Sequence, residues 1–120
     1  MTIRHATLAH NTGGAGFSPG TPTASVYNSI IWGNTVAAFG ALADAACNID
    51  QGGTAGPANN PRFLAPADGV FWPGLGSPAI NACTTGLAND LVGTARPIGT
   101  FYDLGAYEVL PPLTLPIILR

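Results

Sequence analysis

Lysine is absent from this 120-residue chain, and charged residues of every kind make up only 8% of it. The basic residues are Arg4, Arg62, Arg96 and Arg120, set against six acids for a formal net charge of −2. So small a cationic inventory excludes the electrostatic footprint of a nucleic-acid binder. Cysteine is nearly absent too. Cys47 and Cys83 stand 36 positions apart, and neither has a close Cys or His at ligand spacing, which argues against a metal site. They either form a disulfide, worth about 4 kcal/mol in the chain-entropy model, or lie buried apart and reduced; the sequence leaves both open. No apolar run reaches the roughly 20 residues a membrane span needs. Nor does a cleavable secretory signal show, since Met1 runs straight into Thr2-Ile3-Arg4-His5, a strand pattern rather than a basic region leading into an apolar one.

Glycine and proline are abundant, at 16 and 11 residues. They work against long helices and suit short strands broken by tight turns. The best helical stretch, residues 36–46, is interrupted by Gly40, so the sequence predicts at most one short helix or a loop there.

The strongest pattern is a repeat. Residues 1–12 and 24–35 align 23 apart: Ile3 falls on Val26, Ala6 on Ser29, Leu8 on Ile31, Asn11 on Asn34 and Thr12 on Thr35. A period of 20 to 25 residues without a helical run holds two or three short strands and their turns, so each turn of chain lies on the last. Ile3 over Val26 and Leu8 over Ile31 are expected as inward aliphatic columns, each buried side chain contributing about 1.5–3 kcal/mol. Asn11 and Asn34 are expected to begin an Asn ladder at a corner, bonding backbone groups and one another.

Candidate chemistry is thin. The aligned segments place Arg4 over Tyr27 and His5 over Asn28 with no carboxylate. His5 and His10 lack further ligands and read as corner or surface residues. Trp32, Trp72, Phe71 and Tyr27 offer either an aromatic shelf for sugar rings or plain packing, and packing is the expectation. Near the end, Asp90, Asp103 and Glu108 have the residue types of an acid–base pair. Their setting reads instead as a cap: Gly93, Gly99 and Gly105 permit turns, Pro97 fixes a corner, Tyr102 and Tyr107 offer large faces, and Arg96 is placed to pair with Asp103 or Glu108. No catalytic, cofactor-binding or metal-ligating residue is assigned, and no cofactor is expected.

Residues 90–108, DLVGTARPIGTFYDLGAYE, closely resemble the closing signature of bacterial choice-of-anchor Q domain proteins. Gly76-Ser77-Pro78-Ala79-Ile80-Asn81-Ala82 resembles the motif that precedes that signature, Asn60-Pro61-Arg62-Phe63 its Asp-Pro-x-Phe element, and Asn28-Ser29-Ile30-Ile31-Trp32-Gly33-Asn34 a coil sequence common in the same proteins. The resemblance covers roughly residues 24–108. Cys83 replaces the usual Gly, and Asn81 an Asp.

The resemblance implies an all-β fold, a right-handed parallel β-helix or solenoid, of which this chain holds the last coils and a C-terminal cap. Residues 1–46 would be coils of 23-residue period, residues 47–108 terminal coils and the closing region, and residues 109–120 an apolar, Pro-rich tail. The tail reads as a degenerate anchor, a truncated sorting segment or a final strand over the cap. By the same resemblance the chain is expected to be the C-terminal part of a longer bacterial protein, secreted or at the cell surface, with a non-catalytic structural or adhesive role. Its partners would be a polysaccharide or a cell-surface protein, together with upstream coils, and residues 12–23, 52–59 and 84–89 would be the presented loops. The alternative is the non-catalytic end of a polysaccharide lyase or glycoside hydrolase.

Overall fold

A computed structural model describes residues 1–12, 25–35, 44–50 and 60–110. Its elements are β1 (Thr2–Arg4), β2 (Thr7–Ala9), β3 (Ser25–Tyr27), β4 (Ile30–Trp32), β5 (Asp44–Ala46), β6 (Ile49–Asp50), β7 (Phe63–Ala65), a 3₁₀ turn (Pro66–Asp68) and β8 (Val70–Pro73).

The 23-residue spacing becomes strand register. β1 pairs in parallel with β3, placing Ile3 on Val26, and β2 pairs in parallel with β4, placing Leu8 on Ile31. A third rung follows after 19 residues rather than 23: β5 pairs with β3, and β6 with β4. Of the stretch 36–46, expected as a short helix or loop, residues 44–46 are strand β5, and the rest lies outside the described residues.

Each rung bends at one corner between its two strands. His5, Asn28 and Cys47 hold equivalent places there, all with positive φ (49°, 53° and 54°). The next residue along, Ala6, Ser29 or Asn48, knits the rungs together. The Ala6 N–H donates to Ser29 Oγ (3.1 Å), the Ser29 N–H to Asn48 Oδ1 (2.9 Å), and Asn48 Nδ2 to the Val26 carbonyl (2.8 Å). The bend frees backbone groups from the ladder, and a short polar side chain one rung away satisfies them.

The sheet formed by β2, β4 and β6 is covered on both sides. Inside, Val26 and Ile31 are buried with Ile3 and Leu8 against them; outside, Ile30 and Ile49 pack with Ala79, Cys83 and Leu104. Neighbouring Ile30 and Ile31 are therefore both buried, as in parallel sheets covered on two faces.

The right-handed parallel β-helix, or solenoid, is corrected by this topology. The described strands form three separate small sheets, β1-β3-β5, β2-β4-β6 and the antiparallel pair β7-β8, with no solenoid sheet running through them. The physical reason lies in residues 60–110. Pro61, Pro66, Pro73, Pro78 and Pro97 each remove a ladder donor and glycines turn the chain repeatedly. After β8 the described residues, up to 110, form only isolated antiparallel bridges, Cys83 with Tyr102 and Asn89 with Ala95. This part folds over the side of the stack.

Candidate functional site

The residues singled out by sequence gather in two places, a corner ladder and a buried knot. At the ladder, Asn11 donates from its N–H (3.0 Å) and its Nδ2 (2.8 Å) to Asn34 Oδ1, and Asn34 Nδ2 donates to the Leu8 carbonyl (2.9 Å). The Thr35 hydroxyl donates to the Asn11 carbonyl (3.0 Å).

The knot is centred on Arg96, whose side chain is fully buried together with that of Glu108. One terminal nitrogen of Arg96 donates to Glu108 Oε2 (3.0 Å) and to the Asp103 carbonyl (3.0 Å), and the other donates to the Gly105 carbonyl (2.9 Å). The ion pair is thus with Glu108, while Asp103 is met through its backbone. The Asp103 carboxylate accepts from the N–H groups of Asn81 and Val109, both at 2.8 Å. Glu108 also accepts from Ile98 and Asp103, both at 3.1 Å. Asp90 accepts from Val92, Thr94 and Glu108.

Burial pushes the Asp103 and Glu108 carboxyls above their ordinary values, with backbone donors and Arg96 pulling the other way. For Asp90, burial is opposed by backbone N–H groups and the net shift is downward. Among the described residues the hydrogen bonds to these carboxylates are all donated N–H groups, which suits the ionised form. Asp103 and Glu108 are shut off from solvent, at 1% and 4% exposure, and so they are fasteners for the closing segment. Gly105, at φ 86°, lies where a Cβ would press on the Ile30 side chain and on Thr7 Oγ1. It lets residues 103–106 reach the stack, where the Gly105 N–H donates to the Asn28 carbonyl (2.7 Å) and the Ala106 N–H to Thr7 Oγ1 (2.9 Å).

A strap joins knot and stack. Cys83 is bonded to Cys47 on the third rung (S–S 2.07 Å), the Thr85 carbonyl accepts from Asn28 Nδ2 on the second, and the Leu87 N–H donates to His5 Nε2 on the first (3.1 Å). Alternate residues of one segment thus take the same corner of successive rungs. Two rung steps need about 10 Å and four residues of chain reach about 13 Å, so the span is made without full extension. At Gly86 both the His5 ring and Tyr102 crowd the place of a Cβ. Sequence reading treated Cys47–Cys83 as open and missed the roles of His5 and Asn28; the one available signal was their shared place in the aligned segments.

The remaining candidates scatter. Tyr107 stacks on Trp72 (5.0 Å, 26°), Phe71 packs edge-on against Phe63, Trp32 lies on the outer core cluster, and Tyr27 carries the Arg4 guanidinium at 4.6 Å. The four aromatic residues of the supposed shelf therefore occupy four different settings. His10 sits against Phe71 (5.4 Å) and Phe63 (6.3 Å), tying the hairpin to the stack.

Clefts open on the surface formed by the described residues. One, of about 430 Å³, lies between β1–β2 and the strap and is lined by Arg4, His5, Leu87, Asn89, Asp90 and Arg96. Another, of about 480 Å³, is apolar and lies beside β8. Among the described residues no group of three or more His, Cys, Asp or Glu is placed to hold a metal ion, and no helix is long and apolar enough to cross a membrane. No family model, no curated protein and no solved structure matches this chain.

Proposed function

We propose that this chain is a non-catalytic structural or adhesive segment of a bacterial protein that is secreted or held at the cell surface, as its resemblance to choice-of-anchor Q domain proteins implies. One observation carries the reading: residues 84–89 face solvent throughout, while the strap's contacts with three rungs hold their backbone. A fixed, exposed segment loses little conformational entropy when a partner binds. The Cys47–Cys83 disulfide supports an oxidising compartment, where such bonds persist. The partner class is a surface polysaccharide or a cell-surface protein.

The test is binding of the oxidised chain to arrayed bacterial and host glycans and to intact cells, with reducing-sugar release measured in parallel. Binding without sugar release is expected. It should fall at least several-fold in the triple variant Thr84→Ala, Leu87→Ala, Asn89→Ala, whose strap contacts are retained through the backbone. Sugar release by the chain would instead overturn the non-catalytic reading, and binding unaffected by the triple variant would remove the strap from the role.

A further inference from the structure

We propose that the free edge of the first rung, β1 and β2, receives an extended, acid-bearing segment of a partner protein, which pairs along it as a further strand. This rests on the binding role put forward above and narrows the partner class to a protein.

Among the described residues β1 and β2 are the outermost strands of their sheets. At β1 the Ser25 N–H donates to the Met1 carbonyl (2.9 Å) and the His5 N–H to the Tyr27 carbonyl (3.1 Å). At β2 the Ile30 N–H donates to the Ala6 carbonyl (2.8 Å) and the His10 N–H to the Trp32 carbonyl (3.1 Å). Successive residues of a strand bond to opposite sides. Thr2, Arg4, Thr7 and Ala9 therefore turn their N–H and C=O groups away from the second rung, and among the described residues nothing pairs with them. Such a row of unpaired groups is a template for another strand.

Charge selects the occupant. The cleft of about 430 Å³ beside this edge is lined by two cations, Arg4 and Arg96, and one acid, Asp90. Arg96 is engaged by Glu108 and two carbonyls, and Asp90 by three backbone N–H groups. Arg4 makes no ion pair among the described residues. Its guanidinium lies over the Tyr27 ring at 4.6 Å, a contact with the face of the ring that positions it and leaves its N–H groups for a carboxylate. The exposed side chains of Leu87 and Leu91 offer an aliphatic neighbour of that acid a surface to cover. A second copy is a poorer match, because an isologous pairing of these edges would bring Arg4 toward its equal.

The test is selection of phage-displayed random octapeptides on the full oxidised chain, followed by hydrogen exchange with the synthetic consensus peptide. Expected are an Asp or Glu at one fixed position and affinity several-fold lower when that acid is replaced by its amide. The difference should vanish in Arg4→Gln, with the Ile3 and Val26 resonances in place to show an intact stack. Bound peptide should slow exchange of the Thr2, Arg4, Thr7 and Ala9 amides several-fold. The proposal is overturned by selection that yields no peptide, by peptides without an acid preference, or by a preference that persists in Arg4→Gln. Protection of those four amides in the free chain would also overturn it, since the edge would already be covered by the chain itself or by a second copy. Binding to arrayed glycans with no peptide selected would leave the binding role standing and remove this proposal alone.

Discussion

His5 shows how much one side chain is asked to do. It turns the first corner in a left-handed conformation, is 8% exposed, and accepts the Leu87 N–H at Nε2. Its Nδ1 is buried without a hydrogen bond of good geometry. Burial first, and then the nearby positive charges of Arg96 and Arg4, lower its pKa to about 4. A proton on Nε2 would set one donor against another. Because the folded value lies below the unfolded one, His5 contributes stability that is complete above about pH 6.5 and is lost as pH falls toward 4. The loss is on the order of 2–3 kcal/mol. Asp103 and Glu108, with raised values, act in the opposite sense, so the comparison must be made against a variant. In His5→Asn, which keeps a residue suited to the left-handed corner as Asn28 does, urea stability should fall less between pH 7 and pH 4.5 than in the parent. Equal slopes would rule out the assignment. At the knot, Arg96→Ala strands a buried carboxylate and should cost about 3–5 kcal/mol, whereas Arg4→Ala, which removes an exposed cation–π contact, should cost about 1 kcal/mol or less; chemical denaturation separates the two. Gly105→Ala meets both a positive φ and the Ile30 side chain, and a melting temperature lower by several degrees is expected.

Among the elements, the strap is the most consequential, because it fastens all three rungs to the closing segment through one covalent and two hydrogen-bonded contacts. The covalent contact closes a separation of 36 residues. Reduction, or Cys47→Ser with Cys83→Ser, should cost about 4 kcal/mol, and a urea midpoint unchanged by reductant would contradict it. The ladder of Asn11 and Asn34 was legible beforehand, since equal spacing of the same amide predicts their meeting. The strap was not, because its contacts span 36, 57 and 82 positions and use main-chain atoms of Thr85 and Leu87 that no residue type advertises. The third rung was missed for a similar reason. Its offset of 19 breaks the period, and only pairing shows that Asn48 stands below Ser29.

For the molecule as a whole, the three strands stacked in each parallel sheet of the described residues gain little by themselves and depend on residues 79–109 to cover Ile30 and Ile49. Hydrogen exchange should therefore show the amides of Ser25–Tyr27 and of residues 102–105 opening as one cooperative unit in the oxidised protein. After reduction the two sets should separate, residues 102–105 exchanging first. Sets that exchange independently before reduction would show that the closing segment does not support the stack.

Composition and spacing by themselves determined short strands, tight turns, the register of Ile3 on Val26 and of Leu8 on Ile31, and the amide ladder, because these follow from local propensity and a fixed period. They also pointed to Arg96 and Glu108 as partners. Only the tertiary structure decided that the described strands lie in separate small sheets rather than a solenoid, that Cys47 and Cys83 are joined, and that one segment clasps three corners. Those outcomes depend on which residues far apart in the chain compete for the same buried surface and the same unpaired backbone groups, and no local pattern encodes that competition.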